Sequence, residues 1–231
     1  MTGSLAVTDD LPARLDGVRA RIDAHAPEPD RVALVAVTKG FGADTVRAAL
    51  DAGLVDVGES YVQELAAKAA EIDADEGRTV WPRWHAIGRL QRNKVRKAAP
   101  HVTLWHSVDR LSLGAEIARV APGARVLVQV NTSGEESKAG CTPAMAPAVV
   151  EGLVDLGLDV AGVMTMAPAG PPEGARPAFR AARELRDRLG LSELSMGMTD
   201  DLDVALAEGA TIVRVGRGLF GPRPGGGGAR H

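Results

Sequence analysis

Residues 32–59, VALVAVTKGFGADTVRAALDAGLVDVGE, hold one complete strand–helix–strand step, and that step sets the reading of the whole chain. Residues 32–39 are apolar on both faces until Thr38 and Lys39, the pattern of a strand covered by helix outside and by core inside. Residues 43–52 read as a helix that ends at Gly53, a residue suited to a left-handed C-cap. Residues 55–59 return to strand.

The same alternation continues in both directions. Upstream, residues 12–25 place Leu15, Val18 and Ile22 at helical spacing and form a lead-in helix. Downstream, strands over 84–88, 104–108, 125–131, 160–165, 194–198 and 211–216 alternate with helices over 61–75, 91–98, from Asp109, 143–156, 174–189, 200–208 and at Leu219. Asp109 is the type of residue that caps a helix start. Eight strand–helix steps predict one α/β domain, a (β/α)8 TIM-type barrel with an N-terminal lead-in helix, over residues 12–222. A doubly wound open sheet gives the same alternation; the count of eight, the length and the lack of a second domain favour the barrel. Residues 1–11 are expected to be flexible, and residues 223–231, with glycine at 225–228, to form a disordered tail.

Bulk composition narrows the function. The 231 residues are 45% hydrophobic and 25% charged, with a net charge of −3, so no concentrated positive field calls for nucleic acid. Cys141 is the only cysteine, which excludes an intramolecular disulfide and fits a reducing compartment. No apolar run approaches the roughly 20 residues that cross a membrane. Residues 1–10 lack a basic segment followed by an apolar one, so a cytoplasmic location is expected, with no membrane partner.

In such a barrel the site lies at the C-terminal ends of the strands. Lys39 ends an apolar strand there. Burial lowers an amine's pKa and makes it a nucleophile toward carbonyls, although a lysine that clears the strand end into solvent fits the spacing as well. The last two strands end in Ser195-Met-Gly197-Met-Thr199 and Arg214-Val-Gly216-Arg217-Gly. Barrels often hold phosphate between these loops on backbone N–H groups; ordinary tight turns are the other reading. If Val213 and Val215 face the helices, Arg214 faces the interior. There it needs an acceptor, either a pyridine-type nitrogen of a ligand or a core carboxylate. Other features carry less. Met164 and Met166 read as wall, and Arg89, Arg92, Lys94, Arg96 and Lys97 as a solvated helix face. Cys141 lacks a placed histidine partner. His85, His101 and His106 lack metal-site spacing, and no nucleotide-binding fingerprint is present.

Six motifs stand in order along the chain: Val35-Ala-Val-Thr-Lys39, Gly58-Glu-Ser-Tyr-Val-Gln-Glu64, Trp84-His-Ala-Ile-Gly-Arg-Leu-Gln-Arg-Asn-Lys94, Ser137-Lys-Ala-Gly140, Met164-Thr-Met166 and Leu194-Ser-Met-Gly-Met-Thr-Asp-Asp201. Together they resemble the pyridoxal phosphate homeostasis proteins, over roughly residues 30–222. The resemblance implies a barrel like the N-terminal domain of alanine racemase, usually monomeric, with pyridoxal 5′-phosphate (PLP) held as a Schiff base on Lys39. It implies phosphate contacts from Ser195, Gly197, Thr199, Gly216 and Arg217, and places Arg214 at the pyridine nitrogen. An arginine there disfavours ring protonation and weakens the cofactor as an electron sink. Two departures stand out: Ser60 replaces the family's usual asparagine, and Arg217 its usual threonine or serine.

Three readings follow: a PLP carrier or regulator whose partners are PLP and PLP-dependent apo-enzymes; a PLP-dependent amino-acid racemase-like enzyme; and a barrel for another phosphorylated metabolite. Two-sided racemisation needs an acid opposite Lys39. None is assignable, and the only tyrosine is Tyr61. The carrier reading is preferred.

Overall fold

The computed structural model describes residues 10–135 and 138–223. Helix α1 (Leu11–His25) leads into strand β1 (Ala33–Val37), helix α2 (Ala43–Asp51), β2 (Asp56–Glu59), α3 (Val62–Asp73), β3 (Arg83–Ala86) and α4 (Arg92–Ala98). The chain continues through β4 (Val102–Val108), α5 (Leu111–Val120), β5 (Arg125–Gln129), α6 (Ala146–Asp155), β6 (Asp159–Met164) and α7 (Arg176–Arg188). It ends with β7 (Glu193–Ser195), α8 (Leu202–Ala207), β8 (Ile212–Val215) and the short α9 (Arg217–Phe220). Each strand pairs in parallel with the next. The pairs from Ala33–Ile212 to Ala36–Val215 join β1 to β8 and close the barrel. The expected (β/α)8 architecture with its lead-in helix is therefore the one that forms.

Strand alternation divides the core into two layers. Outward residues such as Trp105, Val163, Leu194, Val213 and Val215 pack with Ile117, Leu153 and Phe179 of the helices. Inward, Val35, Leu104, Leu127, Ala161, Met164 and Ile212 form a smaller apolar plug. Each fully buried side chain of this size contributes about 1.5–3 kcal/mol. The barrel is thus held from outside by helix packing, which leaves its inner upper part free for polar side chains.

Several boundaries differ from expectation. β1 stops at Val37 and β7 at Ser195, so Thr38, Lys39 and residues 196–199 turn out of the sheet toward the barrel mouth. Gly197 makes the second exit, with φ +88°, and a Cβ there would lie 2.5 Å from Ala205 Cβ. Asp109 does not cap α5. Arg110 occupies the cap position, and the Asp109 carboxylate accepts from the Arg110 guanidinium instead. α6 begins at Ala146, because Thr142 takes up the preceding amides in a turn.

The expected flexible N-terminus (apart from Asp10 and Leu11), Ser137 of the Ser-Lys-Ala-Gly motif, and residues 224–231 lie outside the described residues. Arg223, assigned from sequence to a disordered tail, packs at the barrel mouth, its Cδ 2.9 Å from where a Cβ on Gly40 would stand. Helix α1 buries Leu11, Leu15, Val18 and Ile22. Its Arg21 reaches α8 and the loop before it, pairing with Asp203 at 2.6 Å and donating to the Thr199 carbonyl at 3.1 Å. The lead-in helix thus braces one wall of the mouth.

Candidate functional site

A cleft of about 550 Å³ opens at the C-terminal ends of the strands. Lys39 stands on its wall, fixed by both neighbours. Thr38 donates its N–H to Gly58 O at 3.1 Å and its hydroxyl to Glu59 Oε1 at 2.6 Å. Lys68 Nζ donates to Glu59 Oε1 at 2.5 Å and to Thr38 O at 2.8 Å. Gly40 N–H donates to Glu64 Oε2 at 2.8 Å. The buried Glu59–Lys68 pair therefore clamps the strand exit that aims Lys39. Burial, then the charges of Arg223 and Arg214, hold the Lys39 amine below the ordinary lysine value of 10.5, against an opposing pull from Glu59. Burial also raises the Glu59 carboxyl, whose Oε2 has no hydrogen-bond partner among the described residues.

Arg214 faces the interior, as the alternation predicts, and is 3% exposed. Its Nη1 donates to Ser195 Oγ at 2.5 Å and its Nη2 to the Thr165 carbonyl at 3.0 Å. Both acceptors are uncharged, so the core-carboxylate pairing does not occur. Burial draws the guanidinium pKa down to about 10, against the field of Asp201. A guanidinium has five N–H donors, and the side chain also lines the cleft.

The two last loops meet on one side of the cleft. Gly218 N–H donates to Thr199 Oγ1 at 3.0 Å, so the threonine hydroxyl is oriented while its proton remains free to donate. Gly216 packs close to β1, where a Cβ would lie 3.1 Å from Val37 O. Arg217 pairs with Asp200, its Nη2 2.5 Å from Oδ1, both exposed at the rim.

Lys39, Thr199, Arg214, Gly216 and Arg217 all line the cleft. Ser195 and Gly197 lie directly behind it: the Ser195 hydroxyl is fully buried between Arg214 and His106, and Gly197 accepts the Arg214 amide through its carbonyl. Ser60 stands on the wall, its carbonyl beside Gly88; a Cβ on that glycine would come within 2.1 Å of it. Arg89 and Arg223 also line the cleft, and neither was singled out from sequence. Arg89 reads in the sequence as part of a solvated helix face, yet it precedes α4; its place just after a strand end, beside Gly88, is the signal that points to the cleft. The described wall thus carries Lys39, Arg89, Arg214, Arg217 and Arg223 against Asp200, a balance suited to an anion.

The family described as alanine racemase, N-terminal domain, matches residues 15–224. A pyridoxal phosphate homeostasis protein of Pseudomonas aeruginosa is 42% identical, over 89% of this chain and 91% of that protein. One of Aquifex aeolicus is 41% identical, over 82% of this chain and 86% of the relative. The chain belongs to the pyridoxal phosphate homeostasis family. Among solved structures, PipY of Synechococcus elongatus with PLP bound superposes with a TM-score of 0.78 at 35% identity, covering 91% of this chain and 99% of PipY. Of the positions where this family member departs from the expected pattern, Ser60 keeps a place on the cleft wall. Arg217 has turned its guanidinium to Asp200 at the rim.

Proposed function

We propose that the chain binds PLP in this cleft, with its aldehyde joined to Lys39 as a Schiff base, and acts as a carrier or regulator in PLP homeostasis. The observation that carries the reading is Arg214, a buried cation on the cleft wall whose acceptors among the described residues are a hydroxyl and a carbonyl. Its remaining N–H groups suit an uncharged ring nitrogen. Lys39 presents an amine of lowered pKa to the same space, as condensation with a carbonyl requires. Thr199 and the backbone at Gly216 would hold the phosphate, with Ser195 and Gly197 shaping that corner from behind. Arg89, Arg217 and Arg223 supply the positive field around it. When bound, PLP supplies an aldehyde and an electron-withdrawing ring, which an arginine partner leaves unprotonated.

The test is equilibrium binding of PLP and unphosphorylated pyridoxal to the apo-protein. Loss of charge-assisted hydrogen bonds worth about 1.5–3 kcal/mol each should weaken pyridoxal well over tenfold. Equal affinity for both would overturn the anion corner.

A further inference from the structure

An unbroken chain of hydrogen bonds runs through the barrel from the mouth to the opposite end. Arg214 Nη1 donates to Ser195 Oγ at 2.5 Å. Ser195 Oγ lies 2.9 Å from His106 Nδ1, and His106 Nε2 lies 2.8 Å from His85 Nδ1. His85 Nε2 is 3.0 Å from Asp56 Oδ1, and Arg83 holds the two oxygens of Asp56 at 2.8 and 2.5 Å. Asp56 and Arg83 are the first residues of β2 and β3, so this end is remote from the cleft. His106 and Ser195 are fully buried and His85 is 4% exposed. Local sequence explains the placement. Trp84-His85 and Trp105-His106 lie on neighbouring strands, and in each pair the tryptophan packs outward while the histidine points inward.

The proton inventory gives the chain one direction. Arg214 can only donate, so Ser195 Oγ accepts from it, and its own proton is then available to its other partner, His106 Nδ1. His106 is held neutral by burial, then by the fields of His85 and Arg214. A neutral ring that accepts at Nδ1 carries its proton on Nε2 and donates it to His85 Nδ1. His85 then donates from Nε2 to Asp56. Burial raises the Asp56 carboxyl, but hydrogen bonds from His85 and Arg83 outweigh it and leave the group below its ordinary value. Every donation points from Arg214 to a carboxylate.

We propose that Ser195, His106, His85 and Asp56 form a polarised relay that orients Arg214 in the cleft, with His106 its central positioning residue and Asp56 the remote counter-charge. Among the described residues Arg214 has no carboxylate within hydrogen-bond reach, and in a low-dielectric interior such a chain polarises cooperatively. Stability alone does not call for it, since a well-packed apolar core is often as stable as a buried polar one. The inference rests on the PLP reading for its cofactor readout, but not for its first test.

That first test is 15N NMR of the apo-protein with labelled histidine and arginine. Both His85 and His106 should be neutral Nε2–H tautomers. Asp56→Asn, which keeps an acceptor but removes the charge, should shift the Arg214 guanidinium resonances from the far end of the barrel. In the holo-protein, His106→Leu should weaken PLP by about tenfold or more and alter the absorbance of the bound cofactor. His106→Gln, whose amide can accept from Ser195 and donate to His85, should restore both. An Nδ1–H or cationic His106, or Arg214 resonances unmoved by Asp56→Asn, would overturn the relay, and these two readouts decide even where His106→Leu fails to fold. If the tautomers and the Arg214 response to Asp56→Asn are both seen but the wild-type protein takes up no PLP, the cofactor reading is overturned and the relay stands.

Discussion

Lys39 was legible as a single residue because a charge that ends an apolar strand is costly unless something uses it. Its lowered pKa has two consequences. The neutral amine is the nucleophile, so the rate of aldehyde capture by apo-protein should climb with pH and level off at a lower pH than for a free lysine amine. Stopped-flow capture of PLP across pH measures this; a profile that levels off only at or above 10.5 would contradict the buried amine. The sign for stability follows as well. A folded pKa below the unfolded value means that the unfolded chain binds the extra proton. Lys39→Met should therefore stabilise the apo-protein at neutral pH, with the gain fading as pH rises toward 10.5, read from urea midpoints. Ser195 shows the limit of single-residue reading. Its inward direction follows from strand alternation, but its partner His106 is 89 residues away and no local pattern joins them.

Between elements, the site depends on two strand exits. At the first, Lys68 on α3 and Glu59 on β2 are 4% and 1% exposed and paired with each other. Removing one partner strands the other charge in the interior, so Lys68→Met should cost about 3–5 kcal/mol at neutral pH. Burial already raises the Glu59 pKa, so the loss should shrink as pH falls and Glu59 takes up a proton. Denaturant midpoints at two pH values check both statements. At the second exit, Gly197→Ala should cost about 1–3 kcal/mol for the backbone conformation alone, and the clash with Ala205 adds to it. Unchanged thermal stability would contradict the turn. The glycines here were legible from the motif Ser195-Met-Gly197-Met-Thr199. The Glu59–Lys68 clamp was not, because a lysine in the middle of an amphipathic helix reads as solvated until the strand beneath it is placed. Asp109 failed for a different, local reason: its cap propensity was real, but neighbouring Arg110 took its carboxylate.

For the molecule as a whole, the barrel could be read from periodicity because each strand–helix step repeats one local rule, and eight repeats admit few closures. The Arg89 and Arg223 walls depend on how loops fold back over the mouth, which no period encodes. The same mouth separates carrier from enzyme. Tyr61 is 62% exposed and stands off the cleft wall. Among the described residues no acid is placed opposite Lys39, and on the proposed reading Arg214 meets the ring, so exchange of amino-acid α-protons in deuterated water should run far below the roughly 1–1,000 per second of enzymes. Turnover in that range, lost in Lys39→Ala, would move the protein to the racemase-like class. The most direct measurement of the central claim is borohydride reduction of the PLP-loaded protein followed by peptide mapping. The account predicts one reduced adduct, on the peptide carrying Lys39 and absent from Lys39→Ala, which should still bind some PLP without a covalent link. An adduct mainly on Lys94 or Lys138 would contradict it.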